Sequence, residues 1–183
     1  MAVSEATFER VLLEDPKGLW ELHRGRLWEK PPMSWHHLNA ITELVVMLHG
    51  QLNRDEYRVH TNGDRVRRSA SSYYLPDVVV VPAHLIEPRG PRAGRPLLVA
   101  EPLPLVAEVW SPSTGDSDVV SKVPEYEARG DREIWLLHPD ERTLTIWWWR
   151  PDGGYDEHLY RGGVVAVESL PGVRIDLVAQ FDA

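Results

Sequence analysis

Leu75-Pro76-Asp77-Val78-Val79-Val80-Val81 opens on a proline, carries one acid and runs into four consecutive valines. Valine is stiff at χ1 and suits a pleated surface packed on both sides, so 75–81 predicts a buried strand with Pro76 at its mouth. Leu105-Val106-Ala107-Glu108-Val109-Trp110 is a second run of the same kind. Each run holds one carboxylate, Asp77 or Glu108. An ionised acid is costly there unless it is paired, hydrogen-bonded or bound to a metal. If the strands are neighbours, both carboxylates converge at one end of a sheet, where hard oxygen donors suit Mg²⁺ or Mn²⁺. Two plainer roles compete: Asp77 capping a turn after its proline, and Glu108 pairing with an arginine. The pattern alone leaves both open.

Working outward, Leu19–Trp28 alternates about Arg24-Gly25 and predicts a hairpin, preceded by a polar start that ends in Asp15-Pro16-Lys17-Gly18. Lys30-Pro31-Pro32-Met33-Ser34 reads as a stop followed by a cap. Ser34 caps a helix to about Leu52, in which Leu38, Ile41, Leu44, Val45 and Leu48 recur at helical spacing. Arg54 to Arg68 predicts strand and turn about Asn62-Gly63, and 82–104 is a long connection rich in Pro, Gly and Arg. After the turn Ser111-Pro112-Ser113-Thr114 a short helix ends at Gly130. Glu133–His138, Thr143–Trp149, Val164–Leu170 and Val173–Val178 predict further strands. Helix, strands, helix, strands gives a single mixed α/β domain over 1–183 with one central sheet.

The chain has 183 residues and a net charge of −8, with 43% hydrophobic and 26% charged residues, an ordinary balance for one globular domain. The absence of cysteine excludes disulfides, a thiolate zinc site and a cysteine nucleophile. The first 18 residues hold no apolar run of signal-peptide length and nothing approaches a membrane span, so a cytoplasmic protein is expected. The acidic balance argues against coating nucleic acid by bulk charge, but not against a local basic patch. Two segments offer one. Residues 54–68 carry five Arg against three acids, and 84–95 carry Arg89, Arg92 and Arg95 against Glu87. The stretch from Glu125 to the end is strongly acidic.

Asp118, Lys122 and Tyr126 are spaced four apart, on one face if the stretch is helical. By itself that spacing favours a solvated Asp–Lys pair. In this order, however, PDVVVV, a long loop, EVWSPST, D-x3-K-x3-Y and RGDREIWLLHP resemble the Uma-type restriction endonucleases, a bacterial family of the PD-(D/E)-x-K nuclease superfamily. The resemblance spans about Trp20 to Trp149 and includes WELHRGRLWEKPP and His37. It implies a restriction endonuclease-like fold, a mixed central sheet flanked by helices. It also implies a Mg²⁺- or Mn²⁺-dependent endonuclease acting on nucleic acid, with DNA the expected substrate. By the resemblance Asp77 and Glu108 are catalytic metal ligands, joined by the backbone carbonyl of Val109. Lys122 is the catalytic lysine, displaced from the position two after Glu108, where Trp110 stands. Asp118 and Tyr126 flank it as supporting residues. Arg89, Arg92 and Arg95 are expected to meet phosphates, and a homodimer is expected because cutting two strands needs two sites.

The sequence departs from the family pattern at Pro124, at Asp131-Arg132 and at His138. Pro124 requires either a helix that starts near Ser121 or a distorted segment at Lys122. A catalytically inactive interaction domain that keeps the fold is the competing expectation. Other candidates divide similarly. Glu21, in the first strand pair, could join the site. His36-His37 could be ligands, or cap and packing residues. Trp147-Trp148-Trp149 could stack bases, fill the core or meet a partner, and at least one indole should be exposed or at an interface. Ser111 and Ser113 lack the glycine-flanked elbow of a nucleophile.

Overall fold

A computed structural model of the chain describes residues 2–86, 98–113 and 118–182, without the side chains of 118 and 119. The polar start holds a helix that its composition hides, α1 (Glu5–Glu14). Ser4 accepts from the Thr7 N–H at 3.2 Å, Phe8 and Leu12 bury the inner face, and the residue before Pro16 ends it. The hairpin follows as β1 (Trp20–His23) and β2 (Arg26–Glu29). Arg24 and Gly25 sit at φ 50° and 81°, the pair of positive φ values that a tight two-residue turn demands. Ser34 caps α2 (Trp35–Gln51), accepting from the His37 N–H at 3.2 Å. Its inner face is Ala40, Ile41, Leu44 and Leu48. Leu38, expected in the core, is 44% exposed because it falls on the outer side of that stripe.

Then come β3 (Tyr57–Thr61), β4 (Arg65–Ser69), β5 (Ser72–Tyr74), β6 (Val78–Pro82), α3 (Ala83–Ile86), β7 (Leu98–Val99) and β8 (Leu105–Val109). A π-helical turn at Asp118–Lys122 leads into α4 (Val123–Arg129). The chain ends with β9 (Glu133–His138), β10 (Thr143–Trp149), β11 (Tyr155–Tyr160), β12 (Val164–Ala166), β13 (Arg174–Asp176) and α5 (Leu177–Asp182). β11 was not anticipated, since its outer residues are polar. The last expected strand stops at Asp176, whose carboxylate accepts the Val178 N–H at 2.9 Å and starts α5 instead.

The central mixed sheet is six-stranded, in the order β11-β10-β9-β8-β6-β3. The expectation of one sheet needs correction here. β2-β1-β5-β4-β7 form a second, five-stranded sheet, and β12-β13 pair separately. Pro76 has no N–H to give a ladder, and at this break the chain passes from β5 in one sheet to β6 in the other. The valines of β6 serve both faces. Val78 and Val80 pack with α2, α5 and the β12–β13 pair, while Val79 and Val81 pack with Val66, Tyr74, Val123 and Tyr126. A third cluster, Phe8, Leu12, Leu22 and Tyr73, seals α1 onto the five-stranded sheet. No described helix is long and apolar enough to cross a membrane.

Candidate active site

β6 and β8 are antiparallel, with Val78 opposite Ala107 and Val79 opposite Val106. One further step of this register sets Asp77 opposite Glu108, on the face shared by Val79 and Val106. The carboxylates therefore converge, buried to 1% exposure each. Asp77 accepts the Val109 N–H through Oδ2 at 2.8 Å, which ties it to the strand that carries Glu108. It is thus the Val109 amide that the structure turns to account at Asp77. Lys122, at the end of the π-turn, points inward. Its Nζ lies 3.2 Å from Glu108 Oε1 and 3.1 Å from Glu21 Oε1. Pro124 falls in the first turn of α4, where a missing N–H is tolerated, so the proline begins the helix and leaves the lysine directed at the cluster. One turn on, the Tyr126 hydroxyl donates to Glu108 Oε1 at 2.5 Å.

Several members were weakly signalled or unread in the sequence. Glu21, on β1, is fully buried. It accepts the Leu75 N–H at 2.8 Å and contacts His23 Nε2 at 2.6 Å. His37, at the start of α2, stands with Nε2 3.2 Å from Asp77 Oδ2, and it is buried. Lys30 was read as part of a stop before Pro31. It is 8% exposed, and its ammonium donates to Asp77 Oδ1 at 2.7 Å and to the Leu75 carbonyl at 3.0 Å, with Glu108 Oε2 at 3.7 Å. Its backbone N–H donates to the Leu19 carbonyl at 3.0 Å, which pins the end of the hairpin so that the side chain turns inward, a consequence of tertiary approach that the sequence does not signal.

Electrostatics follow from this crowding. Burial works against the charged form of Glu21, but Lys122, His23 and Lys30 outweigh it and hold its pKa at about 2. Burial likewise opposes ionisation of Asp77, and Lys30 and His37 drive its pKa well below the ordinary carboxylate range. Lys30 is pushed down by burial and lifted further by Asp77, so its pKa ends above the usual lysine value. Glu21, Asp77 and Lys30 are thereby held in their charged forms although desolvated.

Other expected residues lie elsewhere. Asp118 opens the π-turn, and its side chain is outside the described residues, as are Arg89, Arg92 and Arg95 altogether. In the 54–68 segment Arg65 is buried against the carbonyls of Trp20, Gly63 and Gly18, Arg67 pairs with Glu5, and Arg68 pairs with Glu125. These three are committed within the protein. Trp110, where the resemblance leads one to look for a lysine, stacks on His138 with ring centroids 4.0 Å apart. None of Trp147, Trp148 and Trp149 is fully exposed; Trp147 is a core residue and Trp149 carries the Arg132 guanidinium over its ring. Ser111 and Ser113 bond each other in the turn.

The donor set fits a hard divalent cation in kind, since Asp77, Glu108 and Glu21 supply carboxylate oxygens from rigid elements. Yet among the described residues no three His, Asp or Glu side chains group closely enough to hold a metal as they stand. The Lys30 and Lys122 ammonium groups lie between the acids.

A search of curated proteins finds no match. A crystal structure from Anabaena variabilis ATCC 29413, described as "a putative nuclease belonging to DUF820", is similar at a TM-score of 0.73 and 18% identity, covering 89% of each chain. At that identity the likeness concerns the fold. Residues 6–178 match the model of Uma2, described as "Putative restriction endonuclease", and the chain belongs to that family.

Proposed function

We propose that this protein is a metal-dependent endonuclease that hydrolyses phosphodiester bonds in DNA. One observation carries the reading. Asp77 and Glu108 face each other across β6 and β8, and Lys122 reaches Glu108 from the following helical segment, its Nζ 3.2 Å from Oε1. Asp77 and Glu108 would hold Mg²⁺ or Mn²⁺, with Glu21 close by. Such a cation supplies Lewis-acid polarisation of the phosphate and a more acidic water. The remaining work belongs to the chain. Lys122 neutralises charge that develops on the phosphate oxygens, Tyr126 fixes the rotamer of Glu108 through its hydroxyl, and His37 orients Asp77. Arginines are the natural phosphate contacts, and Arg89, Arg92 and Arg95 are proposed for that role from the basic composition of their segment. A homodimer would bring two such sites to two strands, and sedimentation velocity would report it.

The test is nicking of supercoiled plasmid with Mg²⁺ or Mn²⁺. Cleavage should disappear with chelator and in Asp77→Asn and Glu108→Gln. A folded wild type that leaves plasmid, linear duplex and single strands intact with either ion would reject the reading. The inactive-domain alternative has one observation in its favour: the acids are already paired with ammonium groups, as in a purely structural ion network.

A further inference from the structure

We propose that Lys30 is a built-in competitor for the divalent cation, holding Asp77 and Glu108 together until the cation displaces its ammonium. The inference rests on the metal-dependent reading above and adds a residue that controls how tightly the cation binds. Three facts support it. The Lys30 Nζ lies 2.7 Å from Asp77 Oδ1 and 3.7 Å from Glu108 Oε2, so it sits against both carboxylates proposed to hold the ion. The lysine side chain is 5% exposed, so no bulk water screens it from those acids or from an incoming cation. Its third partner is the Leu75 carbonyl at 3.0 Å, a neutral acceptor that can keep part of the ammonium's hydrogen bonding if the acids are given up.

Charge balance points the same way. Three carboxylates, Glu21, Asp77 and Glu108, face the two ammonium groups of Lys30 and Lys122, and these five groups sum to one negative charge. A divalent ion would convert this to one positive charge with Lys30 in place, and to neutrality with Lys30 withdrawn. A buried site disfavours the uncompensated charge, so cation entry and Lys30 departure are coupled. Lys122 has a different place. It bridges Glu21 and Glu108, whereas Lys30 donates to Asp77 and also approaches Glu108.

The experiment is calorimetric titration of the full chain with Mn²⁺, with melting temperature read with and without the ion. Lys30→Met keeps the stem and removes the charge. It should bind Mn²⁺ at least about tenfold more tightly than wild type, melt lower without metal because two acids face each other, and gain more in melting temperature from Mn²⁺. Equal or weaker binding by a folded Lys30→Met overturns the competitor role while leaving the metal-dependent reading standing. No Mn²⁺ binding by either folded protein overturns that reading, and this inference with it. If Lys30→Met does not fold, Lys30→Arg decides. Its fork grips carboxylates more firmly, so weaker Mn²⁺ binding supports competition and unchanged or tighter binding overturns it.

Discussion

Glu108 Oε1 receives both the Tyr126 hydroxyl and the Lys122 ammonium, which leaves little freedom in that carboxylate. Lys122→Met should therefore act twice. Cleavage should slow by about 10²-fold or more, on the order of 2.7 kcal/mol of transition-state stabilisation. Stability should also fall, because Glu21 and Glu108 lose the cation between them, while Mn²⁺ binding persists since lysine is not a ligand. Single-turnover kinetics beside calorimetry separates these effects. The acids also set an acid limit. Glu21 titrates at about 2 rather than 4.5 and Asp77 is lowered too, so their stabilisation is complete above about pH 4.5 and is lost as pH falls toward 2. Lys30 is raised, so its share is complete below about pH 10.5 and is lost only above that. Melting temperature against pH should show a steep acid limb that Glu21→Gln makes shallower. At this scale Asp77 and Glu108 were legible because a lone acid in a valine or alanine strand is out of place, whereas the spacing of Lys122 and Tyr126 alone favours a solvated pair and only the family resemblance set them beside the acids. Lys30 was not legible, and His37 stood only as a choice between ligand and cap or packing residue. Each looks like ordinary punctuation beside Pro31 or Ser34, and only the tertiary approach of Leu75–Asp77 gives them their partners.

Helix ends, more than helix interiors, position this site. Lys122 is aimed by a π-turn that hands over to α4 at Pro124, and α4 stops at Gly130, whose φ is 81°. A Cβ at Gly130 would meet only Pro102 Cγ at 3.7 Å, so the penalty of Gly130→Ala is conformational and should be about 1 kcal/mol. Pro124→Ala should change stability by less than about 1 kcal/mol, since Ala also suits a first turn. Urea denaturation of the two variants tests this contrast. The strong elements were legible from valine runs, the Ser34 cap and the Arg24-Gly25 turn. α1 and β11 were not: α1 buries only Phe8 and Leu12, and β11 is a polar edge strand with no buried residue, so both read as polar on average. The second sheet was hidden for a different reason. Whether β5 and β6 continue one ladder or divide between two depends on how the chain bends at Pro76, which no local pattern records.

Because Glu21 belongs to the five-stranded sheet and Glu108 to the six-stranded one, the site exists only while the two sheets stay joined. Besides Lys122, which bridges Glu21 and Glu108, Arg129 clips them together. From the end of α4 it donates to the carbonyls of Arg67 and of Val99 (3.0 Å) and Glu101 (2.7 Å), and pairs with Asp131 at 2.9 Å. Asp131 in turn accepts the Leu103 N–H at 2.7 Å, which fixes the chain as it leads into β8. One guanidinium thereby binds β4, β7, the approach to β8 and the start of β9. Arg129→Met would leave the buried Asp131, whose pKa burial already raises, without its cation, and several carbonyls without their donor. Removing one partner of such a pair costs about 3–5 kcal/mol, a drop in melting temperature on the order of 10 °C for a chain of this size. Asp131→Asn keeps an oxygen for the Leu103 N–H but leaves the Arg129 guanidinium without its counter-charge, so it too should lower the melting temperature, the carbonyls of Arg67, Val99 and Glu101 remaining as its acceptors. If the sheets unfold as one cooperative unit, Arg129→Met should lower protection from hydrogen exchange in β1 and β8 together. Protection lost in the five-stranded sheet alone would mean that the two sheets open separately, and that Glu21 can leave the cluster while Asp77 and Glu108 remain in place.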